Sequence, residues 1–369
     1  MTNSLILMER IESNTLLSLQ WLRYVLNPDG AAPKVEDWGA VYDFTKKQGV
    51  SGICLPEAFM DSLEKQFRRR WIGRVQVIEQ RNIIINERVE QLFEMMEQDG
   101  FECCLLKGQG NAAKYPNPLR RTSGDIDLWV NAEQEAIYRY VCSKFPDAEV
   151  SFKHIHFPIF SDMPVDVHVT PLKFFSRRNQ KRLQCWIERN KDAQFAHKVT
   201  LSGVKRAICV PTDAFNAVYQ MGHMLMHFFD EGLGFRPLVD FFYVLKGVSQ
   251  DCRELDVIAD TIRELGMMRF AGAVMWVEHE VLGLPLSCCV VEPDERLGRQ
   301  ILNDILDGGN FGHHSHRFEG KKGFYHIGVA NAGRIMRLLK VAPRECMARL
   351  RRKVGSVIFY FVFKRRRKG

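Results

Sequence analysis

Residues 123–130 read Ser-Gly-Asp-Ile-Asp-Leu-Trp-Val, and the alternation that begins at Asp125 decides how the rest of the chain is read. Side chains two apart on a strand project from one face. Asp125 and Asp127 therefore point one way, while Ile126 and Leu128 turn to a core. Two like charges at that spacing repel unless something neutralises them. A divalent cation does so: Mg2+ prefers hard oxygen ligands and commonly takes one or two carboxylates plus substrate phosphates. The alternative is the solvated face of an edge strand, and Asp-x-Asp alone leaves both readings open.

The flanking sequence adds to the first reading. Upstream, Phe101 to Leu106 is a short apolar run with the look of a buried strand, ending in Lys107-Gly108. A glycine at a strand end lets backbone N–H groups approach phosphate oxygens, and Lys107 adds a cation there. Lys114, Arg120 and Arg121 lie between this turn and the carboxylates, and the small pair Ser123-Gly124 leaves room for a ligand. Downstream, Val165-Asp166-Val167-His168-Val169 repeats the alternation with its valines facing inward. Beside the first strand, Asp166 becomes a third carboxylate. Three carboxylates on neighbouring strands can hold two metal ions, one for the attacking oxygen and one for the leaving phosphate. His168 is placed to bond a phosphate or orient a carboxylate, with a purely structural histidine as the equal alternative. Anion donors beside an acid cluster suit a nucleoside triphosphate with Mg2+ or Mn2+.

Around this centre the sequence predicts an α+β fold, a small mixed-sheet core framed by N- and C-terminal helices. A helical region covers 1–99, with apolar periodicity over Leu16 to Leu26, Trp38 to Lys47 and Asp61 to Gln98, stopped by Asp99-Gly100. The core covers 100–210. Asn131 is the expected N-cap of the helix that follows the Asp-x-Asp strand. His154 to Phe160 and Val165 to Val169 are expected to form an antiparallel hairpin. Helices are expected over 212–229, 236–247, 254–281 and 293–307, making a second helical region over 211–307. A Gly/His-rich loop and a basic tail complete 308–369.

The chain has 369 residues, 46% hydrophobic and 26% charged, which excludes a disordered chain, a fibrous repeat and a polytopic membrane protein. Its net charge of +8 is concentrated in 344–369, where ten Lys/Arg face the single acid Glu345; the rest sums to −1. The ten cysteines are scattered, with no Cys-x-x-Cys, and residues 1–30 lack the order of a secretory signal. A reduced, cytoplasmic protein is expected. In the tail, 354–363 is apolar between two basic clusters. Ten residues span about 15 Å as a helix, half of a hydrocarbon core, which excludes a transmembrane segment. Packing on the body, contact with an anionic membrane through 344–369 at its inner face, and nucleic acid are the three readings of that tail. The near-neutral body disfavours nucleic acid.

Other histidines carry weaker signals. His223 and His227 share a helix face with Glu231 one turn on, a spacing that can bind zinc, although structural histidines fit it better. His313, His314 and His316 suit a polar loop more than a chelate, and His154 and His156 read as the polar face of a strand.

Taken together, Leu105-Leu106-Lys107-Gly108, then Arg121-Thr122-Ser123-Gly124-Asp125-Ile126-Asp127-Leu128, then Val165-Asp166-Val167-His168 resemble an uncharacterised nucleotidyltransferase family of the DNA polymerase β-type superfamily, often found near bacterial surface-polysaccharide genes. The resemblance is densest over 101–170 and extends to 240. It implies a nucleotidyltransferase core, Asp125 and Asp127 as the metal-binding pair, and Asp166 as the residue that completes the metal site and activates an acceptor hydroxyl. It implies phosphate contacts from Arg121 and Ser123, and a cleft wall of His227, Arg236 and Asp240. Lys107-Gly108 stands where the superfamily has Gly-Ser, with Gln109 next. The implied reaction moves a nucleoside monophosphate from a Mg-NTP to an unidentified hydroxyl or phosphate acceptor. The competing expectation is a catalytically silent, membrane-associated binding or assembly module.

Overall fold

The computed structural model describes residues 12–151, 154–230, 232–248, 252–309, 335 and 338–352. The fold is α+β. Three helices, α1 (Ser13–Leu26), α2 (Trp38–Lys47) and α3 (Lys65–Gln98), lead into β1 (Cys103–Leu106), the short α4 (Gly108–Ala112) and β2 (Ile126–Val130). Then come α5 (Gln134–Lys144), β3 (Ile155–His156), β4 (Val165–His168), α6 (Arg177–Ala196) and the hairpin β5 (Lys198–Thr200) and β6 (Ala207–Cys209). The helices α7 (Asp213–Asp230), α8 (Phe235–Val248), α9 (Cys252–Glu264), α10 (Met268–Trp276) and α11 (Glu295–Gly308) follow.

Four strands form a mixed sheet in the order β1-β2-β4-β3. The central pair β2 and β4 is parallel, with Asp127 opposite Asp166 and Trp129 opposite His168; the outer pairs are antiparallel. Strand alternation sorts the two faces. Cys103, Leu105, Ile126, Leu128, Val130, Val165 and Val167 pack with the second half of α3 and with α5 in one apolar cluster. Cys104, Leu106 and Trp129 turn the other way, into a larger cluster with α1, α2 and the helices from α6 to α11. The sheet is covered on both faces, which is why all five residues of β2 are buried. Asp127 thus sits on an interior strand of a covered sheet rather than on a solvated edge.

Several expectations are corrected. The 254–281 stretch is not one helix: Gly266, at φ +77, ends α9 in a left-handed turn, and α10 starts at Met268. Asn131 does not cap α5. Its amide donates to Glu102 (2.7 Å), and Glu133 takes the cap position without a side-chain bond. The β3–β4 hairpin is present, but β3 is two residues long and the connection runs from Phe157 to Pro164. The sequence reading assigned no element to the twenty residues of α6. Its buried side chains, among them Leu183, Trp186 and Ile187, are few against many charges, so its period is faint. Most of the 308–328 loop, with His313, His314 and His316, lies outside the described residues, as do Glu231 and the tail beyond Arg352. Residues 343–352 are helical and dock on the body. Among the described residues no helix is long and apolar enough to cross a membrane, and the nine cysteines whose side chains are described are free thiols.

Candidate active site

The site begins at the turn after β1. Lys107 has φ +51, a left-handed conformation that costs a side-chain-bearing residue energy, and Gly108 follows at φ +39. From this turn the Lys107 ammonium meets Asp127 Oδ2 at 2.9 Å. The other oxygen of Asp127 accepts from His168 Nε2–H at 2.8 Å. That bond crosses between the parallel strands from the register set by Asp127 opposite Asp166. Burial alone would raise the Asp127 pKa, but Lys107 and His168 overcome it and hold the carboxyl well below its usual range. Burial likewise opposes the charge of Lys107, and Asp127 more than restores it, so the amine keeps its proton.

Asp125, Asp127 and Asp166 each place a carboxylate oxygen within 4.8 Å of the others, and among the described residues this is the group with metal-holding geometry. Asp125 is exposed, Asp127 buried and Asp166 between the two. Asp166 is flanked by His156 Nδ1 (3.3 Å) and His154 Nε2 (3.5 Å), two histidines that the sequence suggested only as a polar strand face. Three hard oxygen donors converging at the mouth of a cavity fit a divalent cation.

Across the cavity, α7 and α8 supply the opposite wall. His223 Nε2 lies 2.8 Å from Lys107 Nζ and 3.0 Å from His227 Nε2. A protonated lysine only donates, so His223 accepts from it at Nε2, and the His227 imidazole lies against the same nitrogen. These histidines are engaged with Lys107 and each other. Gly222 lets this helix approach closely, since a Cβ there would lie 2.3 Å from Leu172.

Arg121 and Asp240 form a buried two-bond fork (2.7 and 2.8 Å). Tyr115 O–H (2.6 Å) and Asn111 (3.3 Å) also donate to Asp240. The fork joins the approach to β2 to α8 and commits two of the five Arg121 N–H donors to a carboxylate. Arg236 stands next to Gly124 and lines the cavity. Burial and the like charge of Arg121 lower its pKa, against the pull of Asp240 and Asp125. Lys114 and Arg120 turn elsewhere: Lys114 pairs with Asp213, and Arg120 with Glu57 and Glu79.

The resulting cavity is about 360 Å3 and is lined by the three aspartates, Lys107, Gly108, Arg121, Gly124, His168, His227, Arg236 and Asp240. Ser123 is not part of its lining. His154, Lys173 and His223 are, and the sequence gave them no role there. One side of the cavity is acidic and the other carries cationic and imidazole groups, an arrangement that can hold a metal-bound polyphosphate between them.

Residues 34–283 match a family described as uncharacterised nucleotidyltransferase. A solved structure, that of an antigenic nucleotidyltransferase-like protein from Paracoccidioides brasiliensis, is 12% identical over 48% of this chain and 87% of that one. Its TM-score of 0.31 is too low to carry an argument about fold or chemistry. No curated protein matches.

Proposed function

The chain belongs to that family of uncharacterised nucleotidyltransferases, and from this premise we propose that it transfers a nucleoside monophosphate from a metal-bound NTP to a hydroxyl or phosphate acceptor, breaking the α–β phosphoanhydride bond and releasing pyrophosphate, with Asp125, Asp127 and Asp166 as the acidic centre. The observation that carries the proposal is the convergence of three carboxylates opposite Lys107 and Arg236 in one cavity. Bound there, Mg2+ or Mn2+ would be held by the three aspartates and would supply charge neutralisation and in-line alignment of the phosphates.

The protein's own groups do the rest. Asp127, held ionised by Lys107 and His168, is ready to ligate without losing a proton. Arg236 carries a charge that burial and Arg121 disfavour, so an anionic phosphate beside it relieves that strain. Lys107-Gly108 and Gly124 give the phosphates close access to backbone. Arg121 acts as a positioning residue, since its fork with Asp240 fixes the approach to β2. Asp166, steadied by His154 and His156, is the base that takes the acceptor proton. The proposal places the protein in the cytoplasm, where NTPs are found, and the surface-polysaccharide setting implied by the resemblance belongs to it as the source of the acceptor.

A second reading is favoured by one observation: Lys107 and His168 already occupy both oxygens of Asp127. If that pairing is not released, the chain is a silent binding or assembly module. Thermal shift with each NTP, with and without Mg2+, separates the two. A Mg2+-dependent rise that is lost in the Asp125→Asn, Asp127→Asn variant supports transfer and identifies the base. No rise with any NTP favours the silent module.

A further inference from the structure

A second concavity, about 1010 Å3, lies between the start of α6 and the 343–352 helix. Its wall carries Arg177, Arg178, Arg344, Arg351 and Arg352, all exposed, and no acid. The one carboxylate of this helix is turned under the floor. Glu345 is buried and accepts from Phe175 N (2.7 Å), Ser176 N (3.0 Å) and Asn179 Nδ2 (2.8 Å). It pins the helix to the beginning of α6, and among the described residues no acid lines the groove. Arg177, Arg178, Arg344 and Arg351 make no ion pair with a described carboxylate. Arg349 fixes the same helix to α7 by donating to the Phe229 carbonyl, and the guanidinium groups of Arg349 and Arg352 lie 5.6 and 5.9 Å from the Phe175 ring centre.

Arg177, Arg178, Arg344 and Arg351, held around one concavity, repel each other, and a multiply charged anion is what removes that cost. Guanidinium forks match phosphate oxygens in pairs. We propose that this groove is a binding site for a free ligand carrying several phosphate charges, distinct from the aspartate centre. A concave wall favours an entering molecule over a flat membrane surface, and Met347 is the only large apolar side chain exposed in the lining. The groove abuts the first cavity along the chain, because Lys173 lines one and Phe174 the other.

The test measures tripolyphosphate binding to the whole protein by calorimetry in EDTA, which removes any metal-dependent contribution from the aspartates. Wild type is compared with Arg178→Glu, Arg344→Glu, Arg351→Glu, all surface positions that leave packing intact. The expected result is at least tenfold weaker binding in the variant, stronger dependence on salt in the wild type, and no change in the part of the NTP thermal shift that depends on Mg2+. Equal affinity in the two proteins overturns the proposal. So does arginine-dependent binding to phosphatidylglycerol vesicles with no binding of tripolyphosphate, because the occupant is then a lipid surface. The Asp125→Asn, Asp127→Asn variant is expected to bind tripolyphosphate like wild type, whatever becomes of the transfer reaction.

Discussion

Asp127 and Glu278 are both acids buried in this molecule, and the structure treats them in opposite ways. Asp127, on the sheet, faces an ammonium and an imidazole, and its pKa falls despite burial. Glu278, in the π-turn Val277–Val281 after α10, has no hydrogen-bond partner on either oxygen, and burial pushes its pKa well above the ordinary value. Burial alone does not decide whether a carboxylate is charged; its partners do. The sheet is built to keep an anion, and the helical frame is built to keep a neutral acid.

The largest effect is expected from Asp127→Ala. It leaves Lys107 buried beside an empty place, and breaking a buried pair in that way costs roughly 3–5 kcal/mol. Urea denaturation at pH 7 reads the loss. The sign with pH follows from the lowered pKa. The stabilisation from Asp127 is present above the ordinary aspartate value of 3.8 and is lost as pH falls below it, so wild type and Asp127→Asn are expected to converge on acidification. A constant gap from pH 6 to 3 would contradict the paired, ionised state.

Glu278→Met breaks the comparison from the other side. The folded pKa is raised, so wild type is at full stability below the ordinary glutamate value of 4.5 and loses stability as pH rises. The variant has no such slope. At pH 8 it is expected to be more stable by about 1–3 kcal/mol, the ordinary size of a buried polar group left without a partner. The part of that gain due to proton linkage should vanish below pH 4.5, leaving the part due to the unpartnered group. Destabilisation at pH 8 would mean that Glu278 has a role its surroundings do not reveal.

Asp125 is the third and smallest case, an exposed acid that supports the charges of Lys107, Arg121 and Arg236 through space and is not itself buried. Asp125→Asn is expected to change unfolding free energy by no more than about 0.5 kcal/mol while abolishing the Mg-NTP thermal shift. Retention of that shift, together with retention in Asp166→Asn, would sink the site assignment.

Alternation carried most of what could be read before the structure. Asp125, Asp127, Asp166 and His168 follow from a period of two, and the sheet places three of these acids together. What alternation could not show is the second covering layer. A polar face reads as solvated unless something distant in sequence closes over it, and here α7 and α8 do so with Lys107 as the bridge. The Arg121–Asp240 fork was missed for the same reason: it spans 119 positions, and a phosphate-binding arginine and a salt-bridged one look alike in a string. Helices with a strong apolar stripe, such as α7 and α8, were legible. The highly charged α6 was not, because three buried apolar positions in twenty residues leave no clear stripe. Gly266 shows that a lone glycine can end a helix whose pattern seems to run on.

The distance along the chain between the partners of the cleft also bears on how the protein folds. The Asn111–Asp240 bond closes 129 residues, and Lys107 meets His223 across 116. Contacts of such high order form late, after the loss of chain entropy has been met by nearer ones. A growing chain that has reached β2 holds two of the three acids and neither of the helices that cover them. The cleft therefore assembles as one of the last cooperative steps. The amides of the segments that close it are expected to exchange through an opening that costs less than unfolding the whole chain.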